Sequence, residues 1–515
     1  MTPPGRATPA TSPATPTAPN AARLVAIATV AGAVLRLALL ARQPIGFDED
    51  FTAVTVHQPL DRMLSIVSHD SAPPLFYLLE RAVVAVFDAL GLATFGGPGG
   101  PVALRLLPAI AGIALIPLLA ALATRMAGPA AGAATAALVA FAPPTVWLSG
   151  FARMAGPAGT LAVAAALLLL RATDGRDEPP TGRRPRTRDA AWRWLPYVAV
   201  AAAALWTDYF AAFALAAVTL AVAWHRRRLD AARKSIAATA AAGLTLVPWL
   251  VVASAQLRHS SQGFWVEPLG PRELAGTAGQ LLAGPAIASD VTGFPLILAL
   301  QAATIGVWVV ALAWLAVRWR GLDTPARRGL TFGLVASSGV VMLAAVSVVR
   351  PLFDARYLDV MWLPIFGLAG AGLGLMPRRV ASLAVAVVAV AGLAVSIPIT
   401  HAQVRDVIPE LDASVGPHDL VATTPDQYLI LLDESGPRVL DRLQVLATDD
   451  PSWFSGTAAY PDGAVVHAVP NDVLEHDGRI FWVAAPGVTT PLLPPGYRPT
   501  ESRCVLLACL TIYER

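Results

Sequence analysis

The chain has 515 residues, of which 55% are hydrophobic and 14% charged, and its mean hydropathy is +0.58. This balance is too apolar for an ordinary soluble protein, and apolar runs of about twenty residues, the length that crosses a bilayer, recur along the chain. The formal net charge is only +3, and the arginines cluster in short loops without forming an extended basic face that could hold nucleic acid. The composition therefore predicts a polytopic protein of the lipid bilayer with no nucleic-acid partner.

The first 22 residues are rich in Pro, Thr and Ala and have little to bury, which predicts a disordered cytoplasmic tail over 1–22. The apolar run that follows, 23–42, is long enough to span a membrane. The sequence ARQP at its end lacks the small-x-small pattern of a signal-peptide cleavage site. We therefore expect this run to stay as a membrane anchor.

The arginine-rich loops decide the predicted topology, because short cytoplasmic loops collect Lys and Arg. Four such loops lie at 171–193, 225–234, 318–328 and 377–379. Keeping them inside the cell with the N-terminal tail requires about 11 transmembrane helices within residues 23–399 and puts the C-terminus outside. The predicted crossings are 23–42, 105–124, 128–146, 154–170, 195–207, 208–224, 235–256, 295–317, 329–349, 358–376 and 380–399.

The segment 72–95 is apolar enough to pass for a crossing, but we predict that it lies in the membrane interface. Glu80, Arg81 and Asp88 give it a polar stripe at helical spacing, which is typical of an interfacial helix. Counting it as a crossing would invert every later loop and put the arginine-rich loops outside. Residues 43–104 are therefore predicted to form one large external loop.

The ionisable residues collect at the outer ends of the predicted crossings and in the external loops, while the middles of the crossings carry almost none. A proton-coupled transporter is expected to hold carboxylates or histidines near the bilayer midplane, often on two related halves of the chain. The observed distribution instead favours chemistry at the outer interface, on a substrate whose tail stays in lipid.

The C-terminal residues 400–515 alternate short apolar strands (DLVATT, RIFWVAA and CVLLACLTIY) with candidate helices at 402–412 and 426–434, which predicts a small extracytoplasmic α/β domain. Cys504 and Cys509 lie five positions apart, and along one strand or helix their side chains would not meet. We expect two buried thiols, since a disulfide would require a hairpin turn between them.

A family resemblance rests on motifs that follow one another from residue 20 to about residue 375. In order they are the pair Asp48 and Glu49, HDSAPPLFYLL around Asp70, Arg105 at the start of a crossing, WLSGFARMAGPAGTLAV around Arg153, TDYFAAFAL around Tyr209 and FDARYLDVMWLP around Arg356. With this order and spacing the chain resembles the GT-C membrane glycosyltransferases, in particular the branch of protein O-mannosyltransferases and lipid A aminoarabinose transferases.

The resemblance implies an enzyme that takes a sugar from a polyprenyl-phosphate carrier and gives it to an acceptor on the extracytoplasmic side. Mannose is the favoured sugar, and the acceptor is a glycan, a lipid or a protein. Family members often have His where this chain has Ala72, and a polar or aromatic residue where it has Ala155. These departures leave the identity of donor and acceptor open. The alternatives are a transporter or flippase of lipid-linked sugars and a non-catalytic subunit for polymer assembly.

The resemblance also implies a catalytic carboxylate. Asp48 matches the Asp of the family's DE pair and is the candidate general base, with Glu49 beside it as the second catalytic residue. An acceptor hydroxyl is a poor nucleophile at neutral pH, so a carboxylate must draw off its proton as the glycosidic bond forms. A single displacement of this kind inverts the anomeric centre.

The leaving lipid phosphate needs fixed cations, and the guanidinium fork suits a phosphate. Arg153 and Arg356 are the first candidates and Arg105 the next. Their stabilisation should be larger in the transition state than in the ground state. Asp70 and Tyr209 complete the predicted substrate-binding residues.

Structural roles compete with each of these assignments. Asp48 or Glu49 would also suit the first turn of a helix that begins near residue 49. The three arginines would also suit headgroup contact by snorkelling, Asp70 a turn and Tyr209 an aromatic belt. A divalent metal ion is left open: Asp48, Glu49 and Asp70 offer the oxygen ligands that hard cations prefer, and no Cys or His cluster indicates zinc.

Overall fold

The computed structural model of the chain describes residues 18–41, 46–92, 100–174, 192–226, 229–254, 256, 266–285, 294–395, 404–452, 455–488, 493–505 and 508–515. Most of the predicted tail 1–22 and of the basic loop 171–193 lies outside these residues. The described end of the tail is already helical, because the first helix begins at Ala18. The predicted disorder is therefore wrong for residues 18–22.

All of the regular secondary structure in the described residues from 18 to 395 is helical. Up to residue 174 they are α1 to α8: Ala18–Leu39, Phe47–His57, Leu60–His69, Leu75–Ala89, Gly100–Ala127, Pro129–Phe141, Pro143–Ser149 and Ala155–Thr173. From residue 192 they are α9 to α19: Leu195–Thr207, Ala211–Arg226, Leu229–Leu244, Val247–Val252, Pro271–Ala283, Phe294–Arg318, Thr324–Ala336, Gly339–Ser347, Ala355–Leu358, Pro364–Gly374 and Arg378–Val395.

The helices coincide with the predicted crossings, each of which falls on one helix or on a pair separated by a short break. Among the described residues, five segments are long and apolar enough to cross a membrane, namely α1, α5, α8, α14 and the run of α15 and α16; a sixth is added if the bent pair α6 and α7 counts as one. The other predicted crossings are shorter or interrupted apolar helices. The predicted helical membrane fold is confirmed, while the side of the membrane that each loop faces stays a prediction.

The chain bends by 58° between α6 and α7, and the bend aims the end of α7 at the loop that carries Arg153. Pro143 and Pro144 begin α7. Proline suits the first turn of a helix because its nitrogen has no hydrogen to donate and its φ angle is already helical. The two prolines therefore end α6 and start α7 in a new direction.

Arg36 of α1 donates hydrogen bonds to backbone and side-chain oxygens at this bend. Its guanidinium donates to the backbone carbonyls of Val139 and Ala140, both at 2.9 Å, and to the hydroxyl of Ser149 at 2.8 Å. Arg36 is 2% exposed. A break in a buried helix leaves carbonyls without their helical partners, so this buried cation stabilises the bent conformation.

The polar stripe of α4 contacts protein. Arg81 donates to the carbonyl of Val56 at 2.7 Å, Asp88 lies 3.8 Å from His57, and Glu80 is fully buried. Part of the polar stripe therefore contacts protein: Arg81 and Asp88 lie at the C-terminal end of α2, and Glu80 is buried. The interfacial position of α4 itself stays a prediction.

A sheet domain follows the last long helix, as predicted. Its strands β1 to β6 are Leu420–Thr423, Leu443–Leu446, Val465–Val466, Ile480–Ala484, Arg498–Val505 and Ala508–Glu514, and its helices α20 to α23 are Ile408–Ser414, Pro425–Glu434, Pro437–Leu440 and Asn471–Glu475. The strand order is β3-β2-β1-β4-β6-β5, with β1 to β4 parallel to one another and β6 antiparallel to both of its neighbours. The central strands β1 and β4 are buried along their whole length, as parallel strands covered on both faces must be.

The end of the chain corrects the prediction for the cysteines. The segment CVLLACLTIY, predicted as one strand, belongs to two antiparallel strands, so that Cys504 of β5 lies opposite Cys509 of β6. The two form a disulfide bond. The expectation of two thiols is therefore wrong, because β5 and β6 pair antiparallel and bring the two sulfur atoms together.

The sheet domain packs directly on the helices that carry the predicted catalytic residues. Helix α21 contacts α2, and Arg62 of α3 donates to the carbonyl of Tyr460 at 3.0 Å. Gly456 has a φ of +75° and lies against Phe51, so close that an added Cβ would be 3.1 Å from its ring. The C-terminal domain therefore holds one side of α2.

Candidate functional site

A cavity of about 400 Å³ lies where the helices meet the sheet domain. Its walls come from parts of the chain that are far apart in the sequence. They are the first turns of α2, residues 70–71, residues 151–155, the turn 208–210, residues 250–256, residues 350–357 and Gly456 of the sheet domain. Aromatic and aliphatic side chains supply most of the wall, and the charged groups of Asp48, Asp70, Arg153, Asp208, Arg350 and Arg356 face one another across it.

Asp48 lies at the centre of this charged group. It occupies the first turn of α2, which begins after Gly46. One carboxylate oxygen, Oδ2, accepts a hydrogen bond of 2.7 Å from Nη1 of Arg356, and the other lies 4.0 Å from Nη2 of Arg153. The side chain remains 25% exposed. The structure thus brings together the predicted base and the two arginines predicted first as phosphate ligands.

Arg153 is held by contacts on several sides. Its Nη1 atom donates to the hydroxyl of Tyr77 at 3.1 Å, and its guanidinium carbon lies 5.6 Å from the centre of the Phe51 ring. Tyr77 in turn donates to Asp70 at 3.4 Å. The Arg153 side chain is only 14% exposed, so it presents a fixed cation at the cavity wall.

Arg356 is more exposed than Arg153. Asp354 caps the one-turn helix α17 by accepting a hydrogen bond of 3.0 Å from the Arg356 backbone, a common role for Asp at a helix start. The next residue, Tyr357, stacks on Phe210 at 4.4 Å between ring centres. These contacts fix the backbone, while the side chain of Arg356 is 49% exposed.

Glu49 and Arg105 bind each other beneath the cavity. Arg105 donates to both carboxylate oxygens of Glu49, at 2.8 and 2.7 Å, and the backbone amides of Gly46 and Ala152 donate to the same two oxygens at 3.1 and 2.9 Å. Neither side chain is among the described residues that line the cavity. The predicted direct roles of Glu49 in catalysis and of Arg105 in phosphate binding stay untested predictions that this geometry does not favour.

Asp70 and Tyr209 both line the cavity, and both side chains already have hydrogen-bond partners within the protein. Burial raises the pKa of Asp70, and the charge of Arg153 opposes that rise. The Tyr209 hydroxyl donates to Gln256 at 2.8 Å and accepts from Trp249 at 2.9 Å. Gln256 donates to the carbonyl of Val67 at 2.7 Å. Through Gln256, Tyr209 therefore ties the turn 208–210 to the C-terminal end of α3, just before Asp70.

Tyr77 and Asp208 were not selected from the sequence as site residues. Tyr77 lies inside the quoted motif HDSAPPLFYLL, so its place in the motif was the available signal. Asp208 precedes Tyr209 in the turn between α9 and α10, and it is 6% exposed. Burial raises the pKa of Asp208 to about 6. The cavity wall thus includes a buried carboxylate that holds its proton more tightly than an ordinary Asp.

The three predicted metal ligands do not converge as a set. Asp48 faces arginines, and both oxygens of Glu49 are occupied by Arg105 and backbone amides. Within the described part of the chain, two other groups of three side chains bring possible ligand atoms within 4.8 Å of one another. They are Asp50 with Asp433 and Glu434, and His418 with Asp472 and His476.

One family sequence model matches part of the chain. It is described as dolichyl-phosphate-mannose-protein mannosyltransferase and matches residues 63–262. This range includes Asp70, Arg105, Arg153 and Tyr209. It begins after Asp48 and ends before Arg356, so the family match covers only part of the cavity. No curated protein matches the chain significantly.

Solved structures share the fold over nearly the whole chain. Apo ArnT from Cupriavidus metallidurans has a TM-score of 0.57 at 15% identity, covering 95% of this chain and 97% of its own. The same protein bound to undecaprenyl phosphate has a TM-score of 0.54 at 15% identity and the same coverage. The oligosaccharyltransferase AglB from Archaeoglobus fulgidus, in complex with an inhibitory peptide and a dolichol-phosphate, has a TM-score of 0.54 at 11% identity, covering 90% of this chain and 69% of its own. At identities of 11 to 15%, this similarity shows that the chain has the same fold as these proteins.

Proposed function

We propose that this chain, which has the fold of the GT-C membrane glycosyltransferases, is an inverting enzyme that moves a sugar from a polyprenyl-phosphate carrier to an acceptor hydroxyl. The observation that carries the proposal is the position of Asp48. Its carboxylate lies between the guanidinium groups of Arg153 and Arg356, the first nearly buried and the second half exposed, in one mostly apolar cavity. The matched proteins give the alternative of a transporter no support.

The two arginines suit the phosphate of the donor. Arg153 is fixed by Tyr77 and by its contact with Phe51, so it can mark the position of the phosphate. Arg356 is half exposed and can turn from Asp48 toward an incoming phosphate oxygen. A phosphate held between them leaves the lipid tail against the apolar wall, to which Leu250 and Leu352 contribute.

Asp48 suits the role of general base in a single displacement. The acceptor oxygen attacks the anomeric carbon, its proton passes to a carboxylate oxygen of Asp48, and the bond from that carbon to the phosphate oxygen breaks. The electron pair of the broken bond stays on the phosphate, where the two arginines stabilise the growing charge. Attack from the face opposite the leaving phosphate inverts the anomeric centre.

Glu49 and Arg105 are then positioning residues. Their buried ion pair joins the first turn of α2 to α5 and, through the Ala152 amide, to the residue before Arg153. The Thr52 hydroxyl, which donates to the carbonyl of Ala152 at 3.0 Å, strengthens this junction. The pair therefore sets the distance between the base and the fixed phosphate ligand.

Mannose is the sugar we favour, because the matched family is described as using dolichyl-phosphate mannose. The acceptor is a hydroxyl of a glycan, a lipid or a protein. We place the reaction on the extracytoplasmic side of the cell membrane, with the N-terminus in the cytoplasm and the sheet domain outside, because the arginine-rich loops then face the cytoplasm.

The test is the substitution Asp48→Asn, which keeps the size of the side chain and removes the base. Purified chain is incubated with labelled polyprenyl-phosphate mannose and a cell-envelope acceptor fraction, and transfer and donor binding are measured separately. We expect transfer to fall by about a thousandfold, while donor binding changes by less than about threefold. Other polyprenyl-phosphate sugars in parallel reactions identify the donor.

The matched control is Asp61→Asn, an exposed carboxylate on the neighbouring helix α3, which should leave transfer unchanged. Transfer by the Asp48→Asn variant at more than a tenth of the normal rate would rule out Asp48 as the base. The absence of transfer by the unmodified chain with every polyprenyl-phosphate sugar would instead favour a non-catalytic subunit.

A further inference from the structure

Two histidines and an aspartate meet on the surface of the sheet domain, outside the cavity described above. His418 lies in the segment that leads into β1, whereas Asp472 and His476 come from α23 and its C-terminal end. Asp472 and His476 are four residues apart, a spacing that puts two side chains on one face of a helix. All three side chains are about half exposed, with fractions of 46 to 49%.

The three ligand atoms converge. Nδ1 of His418 lies 3.7 Å and Nδ1 of His476 lies 3.4 Å from the same carboxylate oxygen, Oδ1 of Asp472. Ligands about 2.0–2.1 Å from a tetrahedral zinc ion are separated from one another by about 3.3–3.4 Å. The two observed separations are close to these values. To bind one ion, Nδ1 of His476 must exchange the hydrogen bond of 2.9 Å that it donates to the Asp472 carbonyl for the metal, and the stacked rings must turn toward the ion.

The carboxylate is oriented by a further residue. Arg442 donates to Oδ2 of Asp472 at 3.1 Å, which turns the other oxygen, Oδ1, toward the two imidazoles. Hydrogen bonds from outside partners to a ligating carboxylate are a regular feature of metal sites, because they fix the direction of the ligand. Arg442 occupies only the oxygen that the imidazoles do not face.

The backbone also brings the two histidines together. Their rings stack with centres 4.0 Å apart and planes 10° apart. Gly478 follows α23 where the chain passes the carbonyl of His418 so closely that a Cβ at this position would collide with it. The two segments are thus held side by side by main-chain packing, and the ligand pair does not depend on side-chain contacts alone.

We propose that His418, Asp472 and His476 form a binding site for one divalent transition-metal ion of the zinc class. Two imidazole nitrogens and one carboxylate oxygen suit zinc, cobalt or nickel, whereas magnesium and calcium prefer oxygen ligands alone. Solvent supplies the fourth ligand, because the site is open. The ion joins the segment before β1 to α23 and stabilises that edge of the sheet domain. The sequence did not indicate this site, because its histidines come from separate segments.

The test uses the full chain, purified in detergent with an affinity tag that contains no histidine and stripped of metal with a chelator. Zinc is titrated in competition with a chromophoric chelator, and cobalt is titrated while its visible absorption is recorded. We expect one equivalent of zinc to bind, and cobalt to give the visible bands of a low-coordinate site. Between pH 7.5 and 5.5 the affinity should fall at least tenfold, because the imidazoles must be neutral to bind.

The decisive variants are His418→Gln and His476→Gln, each of which should weaken zinc binding at least thirtyfold and remove the cobalt bands. The matched control is His467→Gln, since His467 is an exposed histidine of the same domain that lies 3.4 Å from Asp450. This control should bind zinc within twofold of the unmodified chain. The proposal is overturned if the unmodified chain binds no zinc at 100 µM, or if the ion persists in both decisive variants, which would place it elsewhere.

Discussion

Asp48 and Glu49 follow each other in the sequence and each binds an arginine, yet their two ion pairs lie in opposite surroundings. The side chains of Glu49 and Arg105 are 4% and 1% exposed, and each oxygen of Glu49 accepts two hydrogen bonds. The side chains of Asp48 and Arg356 are 25% and 49% exposed, with one close contact between them. Identical chemistry one residue apart is thus buried in one case and open in the other.

This difference in exposure indicates which ion pair has a structural role and which can take part in the reaction. Removing one partner of a buried ion pair leaves a charge that water cannot reach, so such a pair stays intact during function. An open pair exchanges its partner at little cost, because solvent screens both charges. Asp48 and Arg356 can therefore rearrange around a substrate, while Glu49 and Arg105 hold the helix that carries Asp48.

The largest effect on stability should follow from removing one member of the buried ion pair of Glu49 and Arg105. In Arg105→Met the carboxylate of Glu49 loses its cation, and we expect the free energy of unfolding to fall by about 3–5 kcal/mol. The thermal midpoint of the purified chain in detergent measures this loss. Arg356→Met, the same change in the open pair, is the matched control and should leave the midpoint nearly unchanged.

A double variant sharpens this prediction. Glu49→Met combined with Arg105→Met removes both charges and leaves the backbone amides of Gly46 and Ala152 without their acceptor. We expect a loss of about 1–3 kcal/mol, which is smaller than that of Arg105→Met alone. A double variant that is less stable than the single one would show that the lost hydrogen bonds, and not the unpaired charge, dominate.

The next effect tests Arg36, a buried cation whose guanidinium donates to carbonyl and hydroxyl oxygens around the bend between α6 and α7. In Arg36→Met the carbonyls at the bend between α6 and α7 lose their donor, and we expect a loss of about 3 kcal/mol. Because the bend positions the loop of Arg153, transfer by the surviving folded protein should fall as well. An unchanged midpoint would show that water or neighbouring groups replace the guanidinium.

Sequence reasoning succeeded where the pattern is local and failed where partners come from distant segments. Apolar runs bounded by arginines placed the helices, because a bilayer imposes length and composition on each run separately. Nothing in the sequence around Asp48 and Glu49 indicates which of the two side chains is buried against Arg105. For the same reason the spacing of the polar stripe of α4 did not indicate that Glu80 is buried or that Arg81 contacts α2.

The third effect concerns Asp208, which is buried in the cavity wall. Because its pKa is raised to about 6, from an ordinary value of about 3.9, the folded protein binds this proton more tightly than the unfolded chain does. The free energy of unfolding therefore falls as the pH rises from about 4 to about 6 and stays low above that range. Asp208→Asn removes this penalty.

We expect Asp208→Asn to be more stable than the unmodified chain at pH 7.5, by up to about 3 kcal/mol. At pH 4 the two should melt together. Thermal midpoints across this range measure the difference. A stability gain that is the same at both ends of the range would mean that burial of the charge is not its cause.

The smallest effect should come from the exposed ion pair of Asp48 and Arg356. Arg356→Lys keeps the positive charge but loses the planar fork that binds two phosphate oxygens, so we expect transfer to fall by about 10- to 100-fold, or about 1.4–2.7 kcal/mol of transition-state stabilisation. The thermal midpoint should not move, because the pair is solvent-exposed. Arg320→Lys, an exposed arginine outside the cavity, should change neither quantity. If the fall appears only in KM for the donor, Arg356 binds donor and transition state equally, and its part in the chemical step must be given to Arg153 alone.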